Sequence, residues 1–565
     1  MPASEMGRHC GKKAWPALQI LQQVVDLSGN AIAAYTAEVL IILRSSFRDP
    51  FHDANTLGCA CIQTVAARLG RRLQPASKEL TAAVLPLTTH RRKAVRCAAI
   101  RAVRELVFVG AHEMVLEMVA WRDPNLVAIK SFYEPDPKVL CTPSLCRDQI
   151  SRVHAMRVLK LWPVQVNFCG KLSTDSAHSV RAEFVDMLGA WLCKLDERID
   201  HQGRLLPYLV SALCDLHPAV QQRALRHIEA VGELYEQDHA DELKDILCYL
   251  PNTAHNVGWR DCDDAWGVAP ADVLPAVFAA RPRVGARRVI AANFGHIAHA
   301  VAAELNSWSD EHRLRAAKLL AVYLVFVEDW VLQHLHDIAP ALCHALRSSG
   351  DGRGKEAAEL CRAAAQCCTL IGLFVPSGSF CDIVLPRVQD TAADMDLRAA
   401  ALQAVACNLR GGTATESAAE SAPRVLALLD ADGLADAQAP VCKAALANVL
   451  HACVAAVPLD WLAAHQVELL ALGARVGARP HASPAACAEP QATVKAALLQ
   501  AAQRLQGHRS AVRTAQDGLV DSELFRAWVA EHVASVEQLW LDGDWQAGVH
   551  TRAVAAQALQ ELAKP

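Results

Sequence analysis

Leu205–Tyr235, LLPYLVSALCDLHPAVQQRALRHIEAVGELY, decides how the rest of this 565-residue chain is read. Leu205, Leu206, Leu209 and Leu213 share one side of a helix. A polar break with Asp215 and Pro218 follows, and then Val220, Ala224, Ile228 and Val231 share one side of a second helix. The stretch reads as a helical hairpin. Two short antiparallel helices cannot bury both apolar faces against each other, so such a unit implies stacked copies of itself.

Copies are present. Asp175, Val180 and Arg181 head a helix that continues through Phe184, Leu188 and Leu192, and they recur 40 residues later as Asp215, Val220 and Gln221. A shift of roughly 40 residues is the HEAT and armadillo period. The same junction appears at Val95-Arg96, Leu314-Arg315 and Leu397-Arg398, each followed by small residues that let helices approach. Val95 and Val180 are 85 residues apart and Leu314 and Leu397 are 83 apart, about two periods each. Lys355–Leu370 supplies the second helix of the repeat between the latter two.

The junction has a physical rationale: its aspartate accepts from the exposed amides at the start of the second helix, and Pro218 fits the first turn. At this point the sequence resembles HEAT repeats, and the resemblance implies a ladder of aspartate and arginine between neighbouring repeats. The residues assigned to these junctions are Asp175, Arg181, Asp215, Pro218, Val220, Arg315 and Arg398. Only Asp175 with Arg181 keeps both members, and Gln221 stands where the ladder would need arginine.

Composition sets the frame. The chain exceeds one ordinary core, so it is several domains or one extended array. It is 52% hydrophobic but only 5% aromatic, and Ala, Leu and Val suit close-packed helices better than strands. The expected fold is all-α, a HEAT/armadillo-like α-solenoid of antiparallel helix pairs. Net charge is −4, so no global field draws the protein to nucleic acid or an anionic membrane. The 20 cysteines include no C-x-x-C pair and read as reduced, mostly buried small hydrophobes. The N-terminus has no signal-peptide core, and Ala31–Leu43 is too short and interrupted to span a bilayer. A cytoplasmic protein without membrane association is expected.

Along the chain, residues 1–249 form an N-terminal HEAT-repeat block, 250–285 an irregular insertion loop, 286–475 a second HEAT-repeat block, and 476–565 a linker with C-terminal helical repeats. Trp121–Cys146 contains four prolines and reads as a degraded repeat or long loop. Arg410–Pro423, RGGTATESAAESAP, and Gly473–Pro490 read as connections. Helical stretches follow at Ala492–Leu505, Glu523–Leu541 and Val549–Leu562.

Candidate chemistry is sparse. GDGRGK at Gly350–Lys355 lacks the glycine and the hydroxyl residue that a phosphate loop needs at Ser349 and Glu356, and it follows a helix. His296 with His299, and His334 with His336, lack a third ligand in sequence, and His112-Glu113 is an isolated dipeptide. The acids Asp261, Asp263 and Asp264 lack EF-hand spacing. Arg91, Arg92, Lys93, Arg96, Arg101 and Arg104 form the strongest basic cluster, without the interleaved aromatics that base stacking needs. No catalytic residue, metal or cofactor is expected, and the chain reads as a non-enzyme.

The middle of the chain is more specific. From Cys169 to about Phe374, the order KLSTDSAHSVRAEFVDMLGAWL, LLPYLVSALCDLHPAVQQRA, GELYEQDHADELKDILCY, ARPRVGARRVI and DIAPALCHAL resembles the dynein axonemal assembly factor 5 family. The most specific parts are the acidic run Glu236–Tyr249, with Asp241, Lys244 and Asp245, and the segment Arg281-Pro282-x-Val284-Gly285-x-Arg287. The resemblance puts forward Arg281, Arg283, Arg287, Asp241, Lys244 and Asp245 as partner-binding residues. It implies a cytoplasmic, non-enzymatic scaffold for preassembly of axonemal dynein arms, with dynein heavy and intermediate chains, heat-shock chaperones and other dynein assembly factors as partners. Residue patterning alone leaves two alternatives open: another HEAT adaptor, such as a transport receptor or phosphatase scaffold, and a HEAT-like nucleic-acid-binding protein.

Overall fold

The structure is a computed structural model that describes residues 3–120, 167–243, 273–347, 355–414, 417–431, 434–436, 439–477, 488–510, 521–542, 556–558 and 560. Among the described residues every regular element is a helix. The chain divides into two compact units, one of Met1–Ala254 with Pro282–Ala300, the other of His255–Arg281 with Val301–Pro565.

The first unit contains α1 (Ala3–Ser28), α2 (Thr36–Phe47), α3 (His52–Leu69), α4 (Gln74–Val84), α5 (Lys93–Val109), α6 (Glu113–Val119), α7 (Phe168–Ser173), α8 (His178–Lys194), α9 (Arg198–Ser211), α10 (Pro218–Asp238) and most of α11 (Val284–Leu305). The second helices α3, α5, α8 and α10 pack on one another in order, and α2, α4 and α9 pack as first helices beside them. α10 shows why the sequence folds this way. Asp215 Oδ1 accepts from the His217 N–H at 2.8 Å, His217 is extended at φ −104°, and Pro218 then opens the helix without needing an amide donor. Val220, Ala224, Ile228 and Val231 are buried along one stripe of the helix, facing the core.

The second unit contains α12 (Asp310–Val327), α13 (Leu335–Leu346), α14 (Lys355–Phe374), α15 (Ser377–Gln389), α16 (Met395–Ala414), α17 (Ser421–Ala431), α18 (Pro440–Ala456), α19 (Leu459–Ala464), α20 (Gln466–Gly477), α21 (Ala488–Ser510) and α22 (Asp521–Asp542). Here α12, α14, α16, α18 and α21 are the successive second helices. From Leu319 through Val327, α12 is buried all round, as a helix walled in on every side must be. α14 is long and apolar enough to cross a bilayer by length and composition, yet it packs between α12 and α16 as a core helix.

Second helices start 41 residues apart at His52 and Lys93, 40 apart at His178 and Pro218, and 45, 40, 45 and 48 apart through Asp310, Lys355, Met395, Pro440 and Ala488. These spacings and the paired packing make the fold an all-α, HEAT-like solenoid, the class expected from Leu205–Tyr235.

Several expectations change. Arg410–Pro423 is not a connection at its start: α16 runs through Gly411 and Gly412 to Ala414. A Cβ on Gly411 would strike the carbonyl oxygen of Thr369 in α14, and one on Gly372 in α14 would strike that of Asn408 in α16. These glycines let two helix backbones touch, and that packing overrides their weak helix propensity. Likewise Gly473 lies inside α20, against Leu498 of α21. The two units divide the end of the insertion between them. Its described residues 273–281 pack with the second unit, and Pro282–Ala300 pack with the first. Trp121–Cys146, residues 250–272 of the insertion, Gly350–Gly354 and most of Val549–Leu562 lie outside the described residues.

Candidate functional site

Surface chemistry in a helix stack is set where one repeat meets the next. At the junctions of the first unit the side chains form a relay. Arg181 Nη1 donates to the carbonyl of Asp175 at 2.6 Å, in its own repeat, while its Nη2 donates to Asp215 Oδ1 of the following repeat at 2.8 Å. Arg96 does the same one step earlier, donating to the His90 carbonyl at 2.8 Å and to Asp175 Oδ1 at 2.7 Å. Asp175 and Asp215 also accept from the amides of Ala177 and His217, both at 2.8 Å. The carboxylate of Asp215 raises the pKa of the Arg181 guanidinium. The rung therefore runs from the arginine of one repeat to the aspartate of the next, so Gln221 does not break it. It ends it: Gln221 Nε2 donates to the Asp215 carbonyl at 2.6 Å and carries no charge onward.

A common position explains these contacts, and sequence reading found it only in part. Arg96, Arg181 and Gln221 are each the fourth residue of their helix. Asn55 of α3, Arg287 of α11, Arg398 of α16 and Gln491 of α21 hold the same place and donate to carbonyls at the end of the preceding segment. Their acceptors are Ser46, Pro282, Val388 and Gly477, at 2.8, 2.9, 2.8 and 3.0 Å. Lys443, fourth in α18 and 2% exposed, donates instead to the Arg475 carbonyl of α20 at 2.9 Å. Arg313 is the fourth residue of α12 and pairs with Asp310 on its own helix, and Arg315 ion-pairs with Glu311 one turn back. A side-chain N–H donor recurring at the fourth helical position was the signal available in the sequence.

The Arg281–Arg287 segment turns inward. Arg281 and Glu328 are each 3% exposed and form a bidentate pair with both contacts at 2.8 Å. Arg283 Nη2 donates to Glu236 at 2.8 Å, and the Gly285 amide donates to the same carboxylate at 2.9 Å. Burial pulls the Arg283 pKa down, but Glu236, Glu233 and Glu229 outweigh it and hold the group above its ordinary value. Arg287 is fully buried. The expectation that Arg281 and Arg287 meet a partner is corrected by their burial: both guanidinium groups are sealed inside the fold. Asp241 is exposed, while Lys244 and Asp245 lie outside the described residues.

Other candidates settle similarly. In the basic cluster Arg96 reaches Asp175, Arg101 pairs with Glu183 at 3.0 Å and Arg104 with Glu105 at 2.9 Å, while Arg91, Arg92 and Lys93 are exposed. Burial pushes the Cys59 thiol up to about 12 and Cys61 to about 11, away from thiolate chemistry. His296 and His299 lie on α11, and His336 lies on α13. No three His, Cys, Asp or Glu side chains come together as a metal-ligand set among the described residues.

Helix pairs at a HEAT-like spacing, with hydrogen-bonded and ion-paired junctions, define a helical-repeat protein. Residues 274–471 match the family model described as dynein axonemal assembly factor 5, HEAT-repeat domain, and residues 14–121 and 164–246 match dynein axonemal assembly factor 5-like, TPR repeats. The chain belongs to the dynein axonemal assembly factor 5 family. The first unit nevertheless spaces its second helices at 40 and 41 residues, longer than the roughly 34-residue TPR period. The chain is 24% identical over 411 residues to dynein axonemal assembly factor 5 of Homo sapiens, covering 73% of this chain and 39% of that protein. To the Xenopus laevis protein it is 22% identical over 372 residues, covering 66% and 36%. It thus spans well under half the length of these relatives. Among solved structures, Kap121p is similar with a TM-score of 0.37 and 12% identity, over 97% of this chain and 48% of that one.

Proposed function

We propose that this chain is a non-enzymatic scaffold for the cytoplasmic preassembly of axonemal dynein arms, holding dynein chains or their chaperone complexes on the surfaces of its helix stacks. The observation that carries this reading is where the family matches fall: residues 14–121, 164–246 and 274–471 lie on the repeat stacks of both units, from α1 to α20. Stacked helix pairs offer long continuous surfaces suited to extended protein partners. The acid partners of Arg96, Arg101 and Arg104 argue against a continuous phosphate-tracking stripe along α5. The partners expected are axonemal dynein heavy and intermediate chains, heat-shock chaperones and other dynein assembly factors.

Deleting the gene in its ciliated or flagellated source cell tests this directly. Axonemes are expected to form but to lack dynein arms in electron micrographs, with dynein heavy chains depleted from the axoneme. Full arms and normal beating in the deletion strain would end the reading.

A further inference from the structure

Residues 273–281, VLPAVFAAR, carry no helix, yet they lie against α12 and α14 of the second unit through three separate anchors. The Val273 carbonyl accepts from Gln366 Nε2 of α14 at 2.7 Å. Phe278, buried, meets Phe326 of α12 edge-on, with ring centroids 5.4 Å apart and planes at 77°. Arg281 forks onto Glu328, the residue that closes α12. Between the anchors Ala276, Ala279 and Ala280 are exposed. A carbonyl, a ring and a guanidinium fix an otherwise irregular segment, which is how a peptide sits in a groove: a few buried anchors with near-neutral residues between them.

Glu328 makes this contact selective for arginine. It sits at φ 51° and ψ −124°, close to the φ 50° and ψ −130° that Gly70 adopts in closing α3. A side chain is disfavoured in this conformation, and a buried carboxylate needs a compensating cation. A planar guanidinium with two parallel donors satisfies both carboxylate oxygens, which a lysine ammonium cannot do.

We propose that Val273–Arg281 occupies in cis a peptide groove of α12 and α14, and that this groove accepts in trans an extended partner segment carrying an aromatic residue followed three positions later by arginine. The recognition chemistry is that of the present occupant: Gln366 for a backbone carbonyl, Phe326 for the ring, Glu328 for the arginine. The tethered segment competes at high effective concentration, so a free segment binds weakly until the tether is loosened. The inference stands whichever protein the scaffold serves.

The test uses the full chain and a fluorescein-labelled VLPAVFAAR peptide followed by anisotropy. Binding to the Phe278→Ala chain is expected to be at least tenfold tighter than to the unaltered chain. Replacing the peptide's phenylalanine by alanine, or its arginine by lysine, should cost at least tenfold. If circular dichroism shows the Phe278→Ala chain unfolded, Phe278→Leu takes its place. Excess peptide should also raise amide hydrogen exchange across residues 273–281 of the unaltered chain. The proposal is overturned if a folded Phe278→Ala or Phe278→Leu chain binds the peptide no better than a scrambled one.

Discussion

Arg181 in the first unit and Arg398 in the second hold the same place in their helices and use their guanidinium groups differently. Arg181 bridges its own junction carbonyl and the aspartate of the next repeat, while Arg398 is buried and donates to the Val388 carbonyl at the end of the preceding helix. Lys443 follows the second pattern, with a carbonyl as acceptor. What the two units share is a side-chain donor that satisfies an orphan carbonyl at a helix end. The aspartate is an addition to that contact, not its basis. Repeats can lose the charged rung and keep the junction.

Breaking buried charge should show the contrast most strongly. Glu328→Gln leaves the sealed guanidinium of Arg281 without its counter-charge and is expected to cost about 3–5 kcal/mol, read as a lowered urea midpoint of the second unit. Asp215→Asn in the first unit removes a rung whose side chains are 16% and 9% exposed, and its expected cost is about 1–3 kcal/mol by the same measurement. A larger loss from Asp215→Asn than from Glu328→Gln would reverse the ranking and make the aspartate rung the main support. Asp382→Asn breaks the exposed pair with Arg424, 62% and 57% accessible, and should change stability by about 0–1 kcal/mol, a difference that 0.5 M salt erases.

The smallest effect sharpens the comparison through pH. His201 is 5% exposed with neither ring nitrogen hydrogen-bonded, and burial lowers its pKa below 6.5. The unfolded chain therefore binds the proton first, so the stabilisation is complete above 6.5 and is lost as pH falls below it. His201→Phe should reduce the slope of that part of the pH profile of the first unit, where His90, also lowered by burial, supplies the remainder. Burial lowers His344 and His451 in the same direction, so the second unit keeps its slope in the variant. An unchanged profile in His201→Phe would remove this residue from the account.

The fold was legible because the apolar stripe of Val220, Ala224, Ile228 and Val231 and its 40-residue echo at Val180 depend only on local periodicity. Arg410–Pro423 misled for the opposite reason. Gly-Gly followed by Thr, Ser and Glu has the composition of a linker, and only the backbone of α14, 40 residues away in sequence, explains why helix continues there. The junction residues were half legible. Asp175 and Asp215 announced themselves by repetition, but the recurring donor at the fourth helical position depends on where each helix starts, and helix starts are the least certain feature of a sequence. The Arg281–Arg287 segment was recognisable by family resemblance, while its direction, inward to Glu328 and Glu236, required contacts 47 residues distant.

The reciprocal contact of Gly372 and Gly411 has a genetic consequence. At each position the obstacle to a Cβ is the main chain of the opposite helix, not a side chain. An alanine at either site cannot be compensated by trimming a neighbour, since a backbone carbonyl has nothing to trim. Suppressors of such a lesion, if selected, should map away from α14 and α16, to residues that set how far apart those two helices stand.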